Sequence, residues 1–128
     1  MPLPPRLEQE LNELRSQHQI EVKEETDVIN VIFLGFVIGD GYAVTHSDLL
    51  LRIPRSYADA GPDMFWMAPA VLLANGQTPQ AADSRERYVD REWRRFSWHR
   101  PPSNPWNPNI DNLHSHLEFI RKRLREKK

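Results

Sequence analysis

The alternation of apolar and polar positions divides the chain into two helical ends and an extended middle. Leu7, Leu11 and Leu14 fall at i, i+4 and i+7 within residues 6–15 and make one apolar stripe. Pro4 and Pro5 stand before that stripe, and Glu8 and Glu10 fall in its first turn, as a helix N-terminus requires. Ile20–Lys23 alternates and reads as an edge strand. Val28–Ile38 is rich in β-branched and aromatic residues and reads as a central strand, closed by the turn Gly39-Asp-Gly41. Ser47–Pro54 reads as the next strand, and Pro62–Ala68 as a short further one, limited by Pro69.

Residues 74–92 show little periodicity, many charges and several turn formers, and read as a long surface segment. Trp93–His99 reads as a short extended stretch, after which Pro101, Pro102 and Pro105 forbid regular structure up to Trp106. The spacing predicts a last helix from near Asn107 or Asn109, with Pro108 in its first turn. Ile110, Leu113, Leu117, Ile120 and Leu124 form its core stripe, stepping by three and four. Strands that follow one another without crossover helices pair antiparallel. The expected class is therefore α+β: an N-terminal helix, an antiparallel β-meander, an irregular segment and a C-terminal helix, in one domain over 1–128.

Composition adds one exclusion and one asymmetry. Cysteine is absent, which removes disulfides, thiolate metal sites and a thiol nucleophile. Residues 1–63 hold five Lys/Arg against eleven Asp/Glu, and residues 64–128 hold twelve against seven. The chain is dipolar, and one pole is a candidate partner surface. The N-terminal stretch MPLPPRLEQE has no secretory pattern and no apolar run is long enough to span a bilayer, so the expectation is a soluble, cytoplasmic protein without membrane contact.

Candidate chemistry is sparse. Gly35, Gly39 and Gly41 match no phosphate-binding spacing. His114 and His116 are two apart on the last helix and cannot share a face, so no metal site and no cofactor are expected. Trp93, Arg94, Arg95, Phe96, Trp98, His99 and Arg100 mix bases and aromatics, but the balanced charge argues against a nucleic-acid surface. In an extended stretch Ser97 and His99 point the same way, with Phe96 and Trp98 opposite. A hydroxyl beside an imidazole is the minimal activated nucleophile, since serine needs a base. The alternative reading is that both only hydrogen-bond the proline-rich segment. His46 is a second candidate base if the fold brings it near, though a turn role suits it better.

The order of these features resembles the ubiquitin-conjugating (UBC) fold, and in particular its bacterial branch, prokaryotic UBC-like family E. A strand ending Leu51-Arg-Ile-Pro54, then Tyr57 and Pro62, is similar to the UBC pattern of strand, Pro, Tyr-Pro, Pro, with Ala58 in the place of the second proline. Trp106-Asn-Pro108 ahead of the last helix looks like the Trp-Ser-Pro of UBC enzymes, and Arg95–His99 with Asp111 and Leu113 resembles the bacterial C-terminal signature. The resemblance implies partners: a ubiquitin-like modifier and its activating enzyme. It implies that the N-terminal helix docks the latter, through Glu8, Glu10 and Glu13. Conjugating enzymes carry the modifier on a cysteine after His-Pro-Asn, and this chain has neither. Counting back from Trp106 brings the implied nucleophile to residues 97–98, where Ser97 is the one hydroxyl. Two expectations follow: an acyl carrier using a Ser97 oxyester with His99 as base or oxyanion stabiliser, with Ser103 next in line, or an inactive UBC-like adaptor.

Overall fold

The computed structural model describes residues 3–128. The elements are α1 (Pro5–Leu14), β1 (Gln19–Glu24), β2 (Val28–Val37), β3 (His46–Pro54), β4 (Phe65–Ala68), β5 (Ser84–Tyr88), β6 (Arg91–Phe96) and α2 (Leu113–Arg125). The six strands form one antiparallel sheet in the order β1-β2-β3-β4-β6-β5. The first four follow chain order. The chain then skips one place and returns, so β6 pairs with β4 and β5 becomes the outer edge. This α+β arrangement, with a helix at each end of the chain, is consistent with the UBC-like fold.

Both helices pack on one face of the sheet. Leu7, Leu11 and Leu14 of α1 and Leu113, Leu117, Ile120 and Leu124 of α2 bury against Val31, Phe33, Leu49, Leu51, Ile53, Phe65, Met67 and Phe96. Strand alternation sends the next residues to the other face, where Ile32, Leu50, Trp66, Ala68 and Trp93 form a second, smaller cluster. There the tip of the β5–β6 hairpin covers the sheet, Tyr88 and Val89 packing on that cluster with the Arg52 guanidinium 3.7 Å from the Tyr88 ring centre. In β2 the register breaks between Phe33 and Phe36 around Gly35, whose φ of 62° suits a residue without Cβ.

Two expectations need correction. The segment 74–92 is not irregular throughout, because Ser84–Tyr88 is a strand and Val89-Asp90 a two-residue hairpin turn. Its charges hid it: in an edge strand Arg85 and Arg87 point to water, while Ser84, Glu86 and Tyr88 face the sheet. The last helix begins at Leu113, not near 107 or 109. Asn112 has extended dihedrals and caps α2, its side chain accepting from Ser115 N while Ser115 Oγ accepts from Asn112 N. A separate turn precedes it, with Ile110 N and Asp111 N donating to Asn107 O. Ile110 therefore leaves the core stripe and is 70% exposed, and Pro108 lies in that turn rather than in the helix.

Candidate active site

Ser97 follows the last residue of β6. Trp98 N donates to Phe96 O at 2.9 Å, a three-residue turn centred on Ser97, so the chain is not extended here and the expected common direction of residues 97 and 99 lapses. The Ser97 backbone amide donates to Ala81 O at 2.8 Å, tying the turn to the segment before β5. Ser97 Oγ accepts from Arg95 Nε at 2.9 Å. From the other side the turn rests on Arg123, buried in α2, whose guanidinium lies 4.7 Å from the Trp98 ring centre and donates to Gln80 O. Phe96 is buried as expected and stacks on Phe65, while Trp98 is half-buried at the edge of the main core.

His99 is engaged by Asp63 rather than by Ser97. Its Nδ1 lies 2.8 Å from one oxygen of the Asp63 carboxylate and 3.0 Å from the other. An ionised carboxylate only accepts, so in the neutral ring Nδ1 carries the proton and Nε2 the lone pair. A base oriented by a carboxylate is the arrangement that activates hydroxyl nucleophiles. Asp63 carried no signal in the sequence, being 36 residues away in a loop. A cleft of about 280 Å³ adjoins the imidazole, lined by Trp98, His99, Phe119, Lys122, Arg123 and Glu126 among others.

Beneath this pair lies a buried polar layer. His116 is 1% exposed, stacks on Phe119, and among the described residues neither ring nitrogen has a hydrogen-bond partner of proper geometry. Burial holds it down at about 4, and the charge of Arg100 pushes the same way, against weaker opposing influences from the Met64 backbone, Asp63 and Asp111. Arg100 in turn pairs with Asp111 at 3.4 Å. His46 lies at the far end of the sheet. Asp48 pairs with Ala68, whereas Phe65, at the other end of β4, pairs with Phe96, so His46 is no base for Ser97. Ser103 is exposed in the proline-rich segment.

A third group ties the chain ends together. Pro54 ends β3 and accepts from Tyr57 N; the Tyr57 ring packs on Trp106, whose Nε1 donates to Ala58 O at 2.8 Å. Gly61 lies flat against Trp106, where a Cβ would stand 2.1 Å from the indole. The Pro108 carbonyl accepts from Arg6 at 2.6 Å. Glu10 is buried at the centre, accepting from Tyr57 Oη at 2.5 Å and from Leu113 N at 2.8 Å. Burial, with the Glu10 carboxylate adding to it, raises the Tyr57 phenol well above its ordinary value. Glu10 is thus a structural residue, not a partner contact. Glu8 is exposed, and Glu13 is exposed but paired with His114 at 2.9 Å.

Over this whole architecture, residues 3–127 match the family model described as prokaryotic E2 family E. The chain belongs to prokaryotic E2 family E. That membership places it in ubiquitin-like conjugation, in the company of a modifier and an activating enzyme. Comparison with curated proteins returns no significant match, and neither does comparison with solved structures. This family E chain carries no cysteine, and the candidate site rests on Ser97, His99 and Asp63. Among the described residues no three His, Asp or Glu side chains group as a metal site, and no helix is long and apolar enough to cross a membrane.

Proposed function

We propose that the protein is an acyl carrier that accepts the C-terminus of a ubiquitin-like modifier from its activating enzyme as an oxyester on Ser97. The observation that carries this reading is the Asp63–His99 pair two residues from the only hydroxyl of the turn after β6. In the forward step Ser97 Oγ attacks the activated carbonyl carbon, its proton passes to His99 Nε2, and the bond to the activating enzyme breaks with the electron pair leaving on that enzyme's group. A target nucleophile then attacks the ester. No hydrogen bond joins Ser97 to His99 in the free protein, and catalytic hydrogen bonds often tighten only when substrate is bound. The activating enzyme would approach the α1 face that carries Glu8 and Glu13, in a cytoplasmic setting.

The test is to incubate activating enzyme, modifier, nucleotide and this protein, and to read intact mass. The expected adduct survives thiol reductant, is cleaved by hydroxide and is lost in Ser97→Ala. His99→Ala should slow its formation by about 10²–10⁴-fold, the usual worth of a general base. An adduct that persists in Ser97→Ala moves the nucleophile, with Ser103 the next to replace. The second reading, a non-catalytic adaptor, draws on the separate engagement of Ser97 by Arg95 and of His99 by Asp63. Failure to form any adduct while the activating enzyme itself is charged would favour the adaptor.

A further inference from the structure

An oxygen carrier faces a difficulty that a sulfur carrier does not. When the target amine attacks the carried acyl group, the carrier atom must leave with an electron pair, and an alkoxide leaves far less readily than a thiolate. The second half of the transfer therefore needs a group aimed at Ser97 Oγ itself, and the chain holds one there.

Arg95 Nε donates to Ser97 Oγ at 2.9 Å. The rest of its guanidinium is locked: one terminal nitrogen pairs with Glu86 Oε2 at 2.9 Å and the other reaches Ser84 Oγ at 3.3 Å. Both partners belong to β5, where the hairpin register sets Ser84 opposite Arg95. Glu86 is steadied in turn by Trp66 Nε1 at 2.7 Å. A planar fork held at both terminal nitrogens is preorganised, with its third donor already on the serine oxygen. A structural strand-end contact would need neither a charge nor this two-sided lock.

We propose that Arg95 is a catalytic residue of the transfer, its Nε–H stabilising the negative charge that develops on Ser97 Oγ as the acyl group departs. This rests on the Ser97 reading above. In the step, the amine nitrogen bonds to the ester carbonyl carbon and the carbon–Oγ bond breaks with its pair going to Oγ. The oxygen, held by Arg95, then takes the proton released by the amine, relayed by His99 or water. Atoms and charge balance without a further reactant.

The experiment isolates the charged protein and follows single-turnover discharge to hydroxylamine. Arg95→Gln should slow discharge of the oxyester by about 10²–10³-fold, the cost of losing one oxyanion donor. Arg95→Lys, which keeps the charge and the Glu86 partner but loses the planar Nε donor, serves if the glutamine variant is unfolded, and should slow discharge in the same direction. The decisive comparison is on Ser97→Cys, whose thiolate leaves unaided: there the same Arg95 change should leave discharge at the single-variant rate. Equal slowing on oxygen and sulfur would mean a merely structural role and overturn the inference, as would wild-type discharge in both Arg95 variants. A wild-type protein that forms no Ser97 adduct overturns the Ser97 reading, and the inference with it; an adduct with normal discharge in the Arg95 variants overturns the inference alone.

Discussion

Asp63 and His99 meet across 36 residues of sequence, carboxylate to Nδ1 at 2.8 Å, on the approach to β4 and just beyond the turn after β6. β4 and β6 are neighbours, with Phe65 opposite Phe96, so the pairing of two strands delivers the two side chains to one spot. If the carboxylate fixes the imidazole for proton transfer, Asp63→Asn should cost roughly 10- to 100-fold in the rate of adduct formation, as loss of an orienting partner commonly does. Rates from intact-mass time courses check this, and thermal denaturation should change little because both side chains are largely exposed.

Docking through α1 predicts a split among its acidic residues. Reversing Glu8 and Glu13 to lysine should lower the association rate with the activating enzyme and weaken its salt dependence, with folding intact. Glu10→Lys should instead destabilise the protein by roughly 3–5 kcal/mol, since it replaces a buried, hydrogen-bonded carboxylate with an opposite charge. Stopped-flow binding at several salt concentrations and urea titration separate the two outcomes. Unchanged binding in the Glu8/Glu13 double variant would remove the acidic face from the interface.

His116 predicts a pH dependence of stability. The unfolded ring protonates near the ordinary 6.5, while the folded ring resists until about 4. Between those values the unfolded state holds the extra proton, so stability is full above 6.5 and falls as the pH drops toward 4. The loss from this one group amounts to roughly 3 kcal/mol at most. His116→Phe should flatten that part of the profile. At pH 7 it should be neutral or stabilising, because neither ring nitrogen has a hydrogen-bond partner of proper geometry to lose. Denaturant titrations of both proteins from pH 4 to 7 measure the difference.

The β5–β6 hairpin turns on Val89 and Asp90, with φ of 54° and 58°. Two central residues at positive φ define the turn that Asn-Gly favours, and a β-branched valine is strained there. Asp90→Gly should stabilise the protein by about 0.5–1 kcal/mol, read as a rise in the denaturation midpoint. Val89→Asn relieves the same strain but gives up packing against the Trp66–Trp93 cluster, so its gain should be smaller.

Much of the fold was legible where periodicity and burial coincide. The stripe of α1, the strands over 20–54 and the stripe from Leu113 to Leu124 all follow from apolar spacing. Ile110 misled because it extends the three-four spacing by one step, while Asn112 sets the true start of the helix through a capping box that spacing does not register. The edge strand β5 was hidden by its charges, and its turn lacks glycine. The candidate site was legible only in part. Ser97 and His99 could be named, but Asp63 and the grip of Arg95 on Ser97 depend on strand pairing, which no local pattern reports. Glu10 looked like a solvated helix residue because its partners, Tyr57 and Leu113, are 47 and 103 positions away.

That last separation bears on how the chain is made. Glu10 leaves the ribosome 103 residues ahead of an amide that it satisfies, Leu113 N. Until residue 113 emerges, that carboxylate has Arg6 of its own helix and then Tyr57, but not the backbone amide that completes its buried site. Such a helix gains little by settling early on the growing sheet. The N-terminal half should therefore stay loosely structured until the second helix emerges, and the domain should close in a single late step rather than from its first helix onward.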